Sequence, residues 1–512
     1  MSLKDFFQKL AGLPKSFREF LLRHGRPTTD RARSQTVMSN IFLHIHSNRI
    51  HRYTLKKTFT FGLGVVAAAS FFILIVTGLI LMIYYKPSVD LAYGSIKDIN
   101  FIVSGGRFVR NVHRWATNIM IVSVLLHMAR VFYTAAYKRA RSFNWVLGMV
   151  LFILTLGLSF TGYLLPWDQL GYWAITIASN IAASPRELTD AVGITQFFDP
   201  GGMMKTLILG SQEIGQDSLT RFFLLHTIAL PLAMGLVLSA HIWRIRKDGG
   251  LARPDEIKAK DMEGIAEDDK TKCIFNNAPQ KTYGLMCLVQ GKSPAVGRGP
   301  ENTIPSWPSL FIAEIALLVL TLGIVCVLAY FFNAPLKEIA DATVPENPAK
   351  APWYFLGLQE LVSYSAFMGG VGIPTIALLG LLLIPFIDRE EQSLGRWFDN
   401  RNGRIAARNS LLYASSVTIG LLIFTVKFGW LRNWYPDISQ LIIILVNPGT
   451  VLVAFFVTWS IGCLRKYNST RLSAIALFTC FIVSFIILTY FATYHRGPNW
   501  DFYWLKSQWP IH

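Results

Sequence analysis

The chain has 512 residues, of which 52% are hydrophobic and only 16% are charged, and its mean hydropathy is +0.39. These values exclude an ordinary soluble domain and are typical of proteins that cross a membrane many times. The net charge of +18 could suggest a nucleic-acid partner, but the basic residues cluster beside apolar segments, so we predict that no nucleic acid is bound.

The apolar pattern begins after a polar, basic stretch at the N terminus. Residues 1–58 alternate apolar with basic side chains, which predicts an amphipathic helix on the membrane surface. Nine apolar runs follow, so we predict an all-α multi-span membrane protein with about nine transmembrane helices, in which a four-helix bundle precedes a second helical membrane region. The runs lie at about residues 59–85, 112–135, 143–165, 220–245, 309–333, 372–388, 409–430, 440–464 and 473–494.

Lysine and arginine are concentrated in alternate connections, which predicts the orientation of the chain. Residues 1–58 contain 12 of them, whereas the connections 166–218 and 334–371 contain two each. Basic residues favour the cytoplasmic side, so we expect a cytoplasmic N terminus and two outer loops at 166–218 and 334–371. The membrane is expected to be a bacterial cytoplasmic membrane.

The second and fourth spans each carry two histidines at almost the same spacing. His113 and His127 are 14 residues apart, and His226 and His241 are 15 apart. Each pair stays within about 60° on one helix face, with an axial separation of roughly 21–22 Å. Two such helices, side by side and running in the same direction, would offer two bis-histidine sites stacked across the membrane, which is the geometry of two b-type haems. His113 would pair with His226 at the outer level, and His127 with His241 at the inner level.

The alternative interpretation is that the four histidines are ordinary polar residues on buried helix faces. Ionisable residues in apolar spans are costly and tend to mark cofactor or proton sites. The other six histidines all fall outside the apolar runs, so we prefer the dihaem interpretation.

Glycines in the first and third spans repeat at the same interval. Gly64 and Gly78 are 14 residues apart, and so are Gly148 and Gly162. Small residues there would let two flat macrocycles press against the helices, with Gly78 and Gly162 at the outer level and Gly64 and Gly148 at the inner level. The alternative is that glycine is simply frequent in membrane helices.

The five cysteines form no C-x-x-C-H haem attachment site and no close pair with zinc or iron-sulfur spacing, so any haem is expected to be held non-covalently.

A polar stretch after the fourth span marks the expected domain boundary. We divide the chain into a basic N-terminal surface segment (1–58), a dihaem four-helix bundle (59–246), a cytoplasmic linker (247–308), a C-terminal region with an outer-site loop (309–390) and additional transmembrane helices with a tail (391–512).

Three motifs carry a resemblance to a known family. They are Arg110-Asn111-Val112-His113-Arg114-Trp115, Thr161-Gly162-Tyr163-Leu164-Leu165-Pro166-Trp167-Asp168-Gln169 and Gly171-Tyr172-Trp173. Together with the 15-residue histidine spacing, they resemble the cytochrome b of Rieske/cytochrome b quinol:cytochrome c oxidoreductases, in its plastid-type branch. Residues 55–248 resemble the first piece of that protein and residues 305–390 the second piece, which the plastid branch encodes separately and which is fused here.

This resemblance implies an electron-transfer subunit with two b-type haems and quinol as substrate. Quinol would be oxidised at the outer side and quinone reduced at the inner side, with protons translocated in a Q cycle. The implied partners are a Rieske iron-sulfur protein, a c-type cytochrome and membrane lipid, in a homodimeric complex.

The sequence departs from the family at two positions. Where the family has Pro-Glu-Trp-Tyr in its outer quinol pocket, this chain has Ala351-Pro352-Trp353-Tyr354, so the usual proton acceptor is missing. We therefore predict Trp353, Tyr354 and Glu360 as the catalytic residues, with Glu360 as a partly buried base of raised pKa. The alternatives are that Glu360 lies in solvent or pairs with a neighbouring subunit, and that Asp168 or a water chain takes the proton. Gly62 stands where the branch has a cysteine that attaches an extra haem, so that haem is not expected.

Arginines flank both histidine levels. Arg110 and Arg114 lie beside the outer level, and Arg130, Arg244 and Arg246 lie beside the inner level, where they are placed to pair with haem propionates. The alternative is that they extend to the membrane interface. Arg246 also matches the position expected for an inner quinone site.

Two rival functions remain at this stage. A dihaem membrane anchor of a dehydrogenase also pairs histidines across helices, but it needs only about four or five spans. A transporter whose intramembrane histidines relay protons would bind no haem.

Overall fold

The computed structural model describes residues 27–254 except Thr29, residues 302–510 except 389 and 391–393, and the single residues 257 and 262. Most of the expected amphipathic segment and of the expected linker therefore lies outside the described residues. Within the described part, nine helices are long and apolar enough to cross a membrane, which confirms the predicted fold class.

The elements are α1 (Asp30–Ser39), β1 (Arg49–His51), α2 (Lys57–Thr60), α3 (Leu63–Tyr84), α4 (Ala92–Phe101), α5 (Gly106–Tyr133), α6 (Ser142–Leu164), α7 (Gln169–Ala183), α8 (Arg186–Val192), α9 (Pro200–Leu209), α10 (Gln216–Leu224), α11 (Leu230–Lys247), β2 (Thr303–Pro305), α12 (Ser309–Phe331), α13 (Trp353–Val362), α14 (Ile373–Ile387), α15 (Arg401–Phe428), α16 (Leu431–Trp434), α17 (Gln440–Leu445), α18 (Pro448–Tyr467) and α19 (Thr470–Tyr494). Short 3₁₀ turns lie at Leu43–Ile45, Arg52–Leu55, Arg139–Arg141, Pro498–Trp500 and Lys506–Gln508. The spans are α3, α5, α6, α10 with α11, α12, α14, α15, α18 and α19.

The first four spans form a bundle in which α3 packs along α5 and α6 packs along α11. The fifth span, α12, closes one side of the bundle against α3 and α5. Small buried residues, Ala116 of α5 and Ala329 of α12, let these helices approach closely. The histidine-bearing helices are therefore held from several sides.

The fourth span contains a π-helical turn at Leu225–Ala229 that joins α10 to α11. Pro231 follows directly after Leu230. Its backbone nitrogen has no hydrogen to donate and its ring crowds the preceding turn, so the helix widens there. A π turn accommodates one extra residue. This explains why His226 and His241 are 15 residues apart while His113 and His127 on the regular helix α5 are 14 apart.

The last three spans, α15, α18 and α19, form a second compact group. Its interior is filled with apolar side chains, among them Leu422, Leu452, Phe456 and Leu488. This group joins the bundle at its inner end, where Phe132 of α5 stacks on Phe478 of α19 with a ring-centroid distance of 3.9 Å.

Arg471 fixes that inner junction. It is fully buried at the start of α19, and its guanidinium donates hydrogen bonds to the Phe132 carbonyl at 2.6 Å and to the Tyr137 hydroxyl at 2.8 Å. Asp388, with one oxygen 3.7 Å from Arg471 and the other 2.8 Å from Lys138, adds the compensating charge. A buried charge needs such partners, so the second region is docked specifically.

A short strand pair, which the sequence pattern did not predict, joins the two halves of the chain. β1 precedes the first span and pairs antiparallel with β2, which precedes the fifth span, so that Ile50 lies opposite Ile304. Arg49 adds a hydrogen bond of 2.8 Å to the Thr303 carbonyl.

Candidate functional site

The outer pair of histidines faces across the interior of the bundle. The rings of His113, on α5, and His226, in the π turn, have centroids 6.2 Å apart and planes inclined by 68°. Metal–imidazole bonds in proteins are about 2 Å long. Two such bonds and the two half-rings fill a separation of this size, so one metal atom could bridge the pair.

Hydrogen bonds determine which nitrogen of each outer histidine is available. The Thr77 hydroxyl donates to the Ile73 carbonyl, so its oxygen accepts from Nδ1 of His113 at 2.9 Å. Nδ1 of His226 lies 3.0 Å from the Leu158 carbonyl, which can only accept. Both rings therefore carry their proton on Nδ1, and Nε2 keeps a free lone pair, which is the form that binds a metal.

Each of the four glycines lies beside one histidine ring. A Cβ placed on Gly78 would be 3.3 Å from Cε1 of His113, and one on Gly64 would be 3.3 Å from Cε1 of His127. On α6, a Cβ on Gly148 would be 3.6 Å from Cε1 of His241, whereas one on Gly162 would overlap with the ring of His226. The structure thus brings each glycine beside the histidine of the expected level, where the lack of a side chain leaves room for the imidazole ring.

The inner histidines line a large cavity. His127 and His241, with Gly64, Gly148 and Arg130, lie on the wall of a space of about 1830 Å³ that continues towards the inner ends of α3 and α12. Nδ1 of His127 is buried and has no hydrogen-bond partner among the residues that the structure describes. The Nε atom of Arg130 is also buried without a hydrogen-bond partner among the described residues, and Arg130 is only 4% exposed. Unpaired polar atoms beside a cavity indicate a site shaped for a polar guest.

These observations fit two b-type haems. Both levels offer two imidazoles from helices that run in the same direction, glycines clear the space behind the rings, and the inner cavity has room for a large planar group. Arg130 supplies a buried positive charge, which suits a propionate.

The other arginines have partners within the protein. Arg110 donates to the backbone carbonyls of Ala334 at 3.0 Å and Pro335 at 2.6 Å, so it holds the loop after α12. The guanidinium of Arg114 lies 5.6 Å from the ring centroid of Tyr163.

At the inner end, Arg244 is paired with Asp248 at 2.8 Å. Arg246 donates to the His44 carbonyl. Of the five arginines predicted to pair with propionates, Arg130 is the one whose surroundings favour that role most.

The predicted outer quinol residues lie on α13. The Tyr354 hydroxyl is hydrogen-bonded to the Ser159 hydroxyl of α6, and burial raises the pKa of Tyr354. Nε1 of Trp353 donates to Asn118 of α5 at 3.0 Å. Pro352, which replaces the family glutamate, caps the N terminus of α13 in an extended conformation. The face of α13 that carries Trp353 and Tyr354 therefore contacts the two helices that bear His113 and Gly162.

Glu360 does not have the surroundings expected of a proton acceptor in that pocket. It is fully buried and forms an ion pair with Arg496, whose Nη2 is 2.6 Å from Oε1 and whose Nε is 3.0 Å from Oε2. Nε1 of Trp500 donates to the same carboxylate at 3.0 Å. Both oxygens of the carboxylate are thus occupied by a guanidinium and an indole N–H from the end of the chain that follows α19. The expectation of a partly buried carboxylate therefore differs from the structure, in which Glu360 is fully buried and paired with Arg496.

Asp168, the alternative acceptor, is also engaged. Its two oxygens accept from the backbone N–H groups of Gly171 at 2.9 Å and Lys337 at 3.0 Å, which ties the loop after α6 to the loop after α12. Burial raises the pKa of Asp168, and these two hydrogen bonds and the charge of Arg110 act in the opposite direction. Asp168 therefore links the two loops through its carboxylate.

Two features of the site were missed in the sequence. Thr77 and Thr161 each precede a glycine, and the Thr161 hydroxyl lies 3.2 Å from Nδ1 of His226 as the Thr77 hydroxyl lies near His113. This repeated Thr-Gly could have indicated two residues that contact the outer histidines. The second feature is Glu314 on α12, a carboxylate within an apolar span that lies on the inner cavity wall and accepts from Nε2 of His46 at 2.8 Å. Ionisable groups within spans usually mark a functional site.

Comparisons with known proteins give the family to which this chain is similar. The family model described as Cytochrome b/b6/petB matches residues 51–249. Cytochrome b6 of Prochlorococcus marinus (strain MIT 9515) is 39% identical over 187 residues, which cover 36% of this chain and 80% of that relative. Cytochrome b6 of Synechococcus sp. (strain RCC307) matches to the same extent.

Among solved structures, a chain described as "Hyperthermophilic respiratory Complex III" aligns with 80% of this chain and 92% of its own length. The TM-score is 0.56 and the sequence identity is 25%. The cytochrome b6 relatives thus match 36% of this chain, about the length of the histidine bundle. The structural similarity to the Complex III chain covers 80% of this chain.

Proposed function

The chain belongs to the cytochrome b/b6 family, and on this premise we propose that it is the dihaem subunit of a quinol:cytochrome c oxidoreductase, or of a complex with a similar acceptor. Membership makes it a multi-pass membrane protein and the cytochrome b subunit of a bc-type complex. One observation carries the finer proposal. Two helices bring their histidines together at two levels, across 6.2 Å at the outer level and on the wall of one cavity at the inner level.

Some residues would bind the haems, and others orient the histidines that would bind them. His113 with His226 and His127 with His241 would each bind one iron through Nε2. The bound haems would carry single electrons between the two sides of the membrane. Thr77 and the Leu158 carbonyl keep the outer rings in the binding tautomer, and Arg130 offsets negative charge at the inner level.

At the outer side, we assign the quinol pocket to the space between α13, α5 and α6. Trp353 and Tyr354 form its wall, because their polar atoms are fixed to Asn118 and Ser159 on the haem-bearing bundle. The buried Tyr354 hydroxyl keeps its proton over the physiological range and can bond a quinol oxygen.

At the inner side, the cavity that begins at His127 and His241 continues past His46 and Glu314, which favours a quinone site open to the cytoplasm. Burial lowers the pKa of His46, but the hydrogen bond and the charge of Glu314 outweigh this effect and raise its pKa above the ordinary value. The pair thus holds a proton at the edge of the cavity, where quinone reduction needs one. Proton release outside and uptake inside would make the cycle translocate protons.

The proposal includes the orientation and the assembly. The N terminus lies in the cytoplasm of a bacterial inner membrane, and the partners are a Rieske iron-sulfur protein, a c-type cytochrome and a second copy of the chain. In a cysteine-free background, Phe197→Cys in the outer connection, where the side chain is 84% exposed, should react with an impermeant thiol reagent in sealed cells. Lys247→Cys at the end of α11 should not. The reverse pattern would invert the orientation and exchange the two haem levels.

The test of the function is a reduced-minus-oxidised spectrum of the purified chain with a haem count, followed by identification of the subunits that copurify from native membranes. Two b haems per chain, reduced by quinol and associated with an iron-sulfur protein, are expected. A transporter would show no haem absorbance, and a dehydrogenase anchor would copurify with a soluble dehydrogenase instead.

A further inference from the structure

The outer end of the ninth span reaches across to α13 and the loop before it. Lys350 donates from Nζ to the Thr493 carbonyl at 2.8 Å, and Asn347 and Asn499 exchange hydrogen bonds of 2.6 and 2.8 Å. Helix α13 packs lengthwise on α19. The loop and helix that carry the outer quinol residues are therefore attached to the last three spans at several points.

The packing between α13 and α19 is close. A Cβ on Gly357 of α13 would lie 2.7 Å from the Thr489 hydroxyl and 3.1 Å from the Phe485 carbonyl, both on α19. Glycine is needed here because the two helices approach too closely for a side chain. One turn along the helix from Trp353 and Tyr354, α13 thus rests directly on the ninth span.

One ion pair fixes the register of this contact. Glu360 is fully buried, and Arg496, only 9% exposed, binds both of its oxygens. Arg496 also donates to the Trp500 carbonyl at 2.8 Å and to the Tyr364 hydroxyl at 3.2 Å. Burial lowers the pKa of Arg496, but the hydrogen bonds and the charge of Glu360 outweigh this effect and raise its pKa above the usual range.

Such a pair is directional. Two parallel hydrogen bonds between a guanidinium and a carboxylate set both the distance and the angle of the groups that carry them. Removing one partner of a buried pair leaves an uncompensated charge, which is strongly unfavourable, whereas removing both charges costs much less. The orientation of α13 therefore depends on Arg496.

We propose that the ninth span, acting through Arg496 and Glu360, is the support that positions the outer quinol pocket. Glu360 and Arg496 are positioning residues and not proton carriers. The inference rests on the proposed function for the identity of the pocket. It assigns a structural role to α15, α18 and α19, the three spans that follow residues 305–390.

The experiment compares three variants of the full chain in its complex: Arg496→Met, Glu360→Gln, and the double variant. Hydrogen exchange of α13 is the first measurement, because it needs no turnover. We expect Arg496→Met to speed exchange in α13 at least tenfold while α5 and α6 keep wild-type rates. The double variant should recover most of the protection. Arg432→Met, which changes an outer arginine bonded to Gln440 instead, should have no effect on α13.

The second measurement is duroquinol oxidation across pH. With haem content intact, Arg496→Met should raise KM at least fivefold with a smaller change in kcat, and the double variant should restore KM and keep the wild-type pH profile. Unchanged α13 exchange in Arg496→Met would overturn the proposal. If both variants that carry Glu360→Gln lose the acidic or the basic side of the pH dependence of duroquinol oxidation, Glu360 is the proton acceptor and the proposal is wrong. If the wild type fails to reduce its haems with quinol, the proposed function fails, while the exchange data still decide whether the support exists.

Discussion

The histidine bundle and the last three spans are both made of apolar helices, yet their interiors differ. In the last three spans, Tyr413 stacks on Trp459 at 4.3 Å, and the indole N–H of Trp459 donates to Ser410 at 2.8 Å. In the bundle, a cavity of about 1830 Å³ remains, and buried nitrogens of His127 and Arg130 have no partner among the described residues. Among the described residues, the histidine bundle therefore contains open space and unpaired buried nitrogens, whereas side chains fill the interior of the last three spans.

This difference implies different sources of stability. A protein that binds a guest only in its folded state is stabilised by the guest's binding free energy. The bundle should therefore depend on haem for much of its stability, whereas the last three spans should depend on side-chain packing. Variants in the two regions should separate haem loss from unfolding.

The largest expected effect is the complete loss of one haem from the bundle. His113→Ala and His226→Ala should each remove the same spectral component, and His127→Ala and His241→Ala should remove the other, because each haem needs both axial nitrogens. Reduced-minus-oxidised spectra and haem counts measure this. His495→Ala, at the end of α19, is the control and should keep both haems. Loss of the same component from His113→Ala and His127→Ala would refute the pairing.

The next effect concerns the space behind the histidine rings. Gly162→Ala should remove most of the outer haem, because the new methyl group overlaps with the ring of His226 and displaces its nitrogen. Gly148→Ala, on the same helix, should keep the inner haem, since its methyl group would be at an ordinary contact distance of 3.6 Å from His241. Equal haem loss in the two variants, measured spectroscopically, would show that helix geometry rather than ring contact is responsible.

A smaller effect is expected from a truncation in the last three spans. Phe456→Ala should lower the free energy of unfolding by about 3–5 kcal/mol, because the side chain is 3% exposed and its removal leaves a cavity. Both haems should remain in the folded protein. Phe455→Ala, next to it but 46% exposed, should change stability by much less. Denaturant unfolding of the two variants measures the difference, and haem loss from Phe456→Ala below its unfolding transition would contradict the separation of the two regions.

The smallest effect lies at the edge of the inner cavity. The pKa of His46 is raised in the folded protein, so its bond to Glu314 stabilises the fold at pH below the ordinary value of 6.5 and is lost as pH rises through the higher, folded-state pKa. Because the pair is partly exposed, its contribution should be about 1 kcal/mol or less. Glu314→Gln should remove this pH dependence, measured as hydrogen exchange of residues 43–48, and Glu213→Gln should leave it unchanged. A persisting pH dependence would assign it to another group.

Periodicity predicted the elements that repeat along one helix. The nine spans, the four histidines and the four glycines all follow from regular spacing, because residues 14 apart return to the same helix face. Spacing alone could not tell which helices lie in contact, so it did not predict that Gly78 lies against the ring of His113. It also gave no reason for the 15-residue interval, which a π turn before Pro231 explains.

The contacts that periodicity could not predict join residues far apart in the chain. Glu360 and Arg496 are separated by 136 positions, and His46 and Glu314 by 268. Each partner considered alone resembles an ordinary charged residue at a membrane boundary. A carboxylate eight residues beyond Pro352 suggests a proton acceptor, because the sequence does not indicate that Arg496 lies beside it.

The pairing of β1 with β2 has a consequence for how the gene can be divided. One strand precedes the first span and the other precedes the fifth, so the two halves of the polypeptide are joined at the membrane surface by backbone hydrogen bonds as well as by the covalent linker. Arg471 joins the same halves at a second point. We expect that two separately translated polypeptides, divided between these halves, would associate through the same strand pair and the same buried arginine.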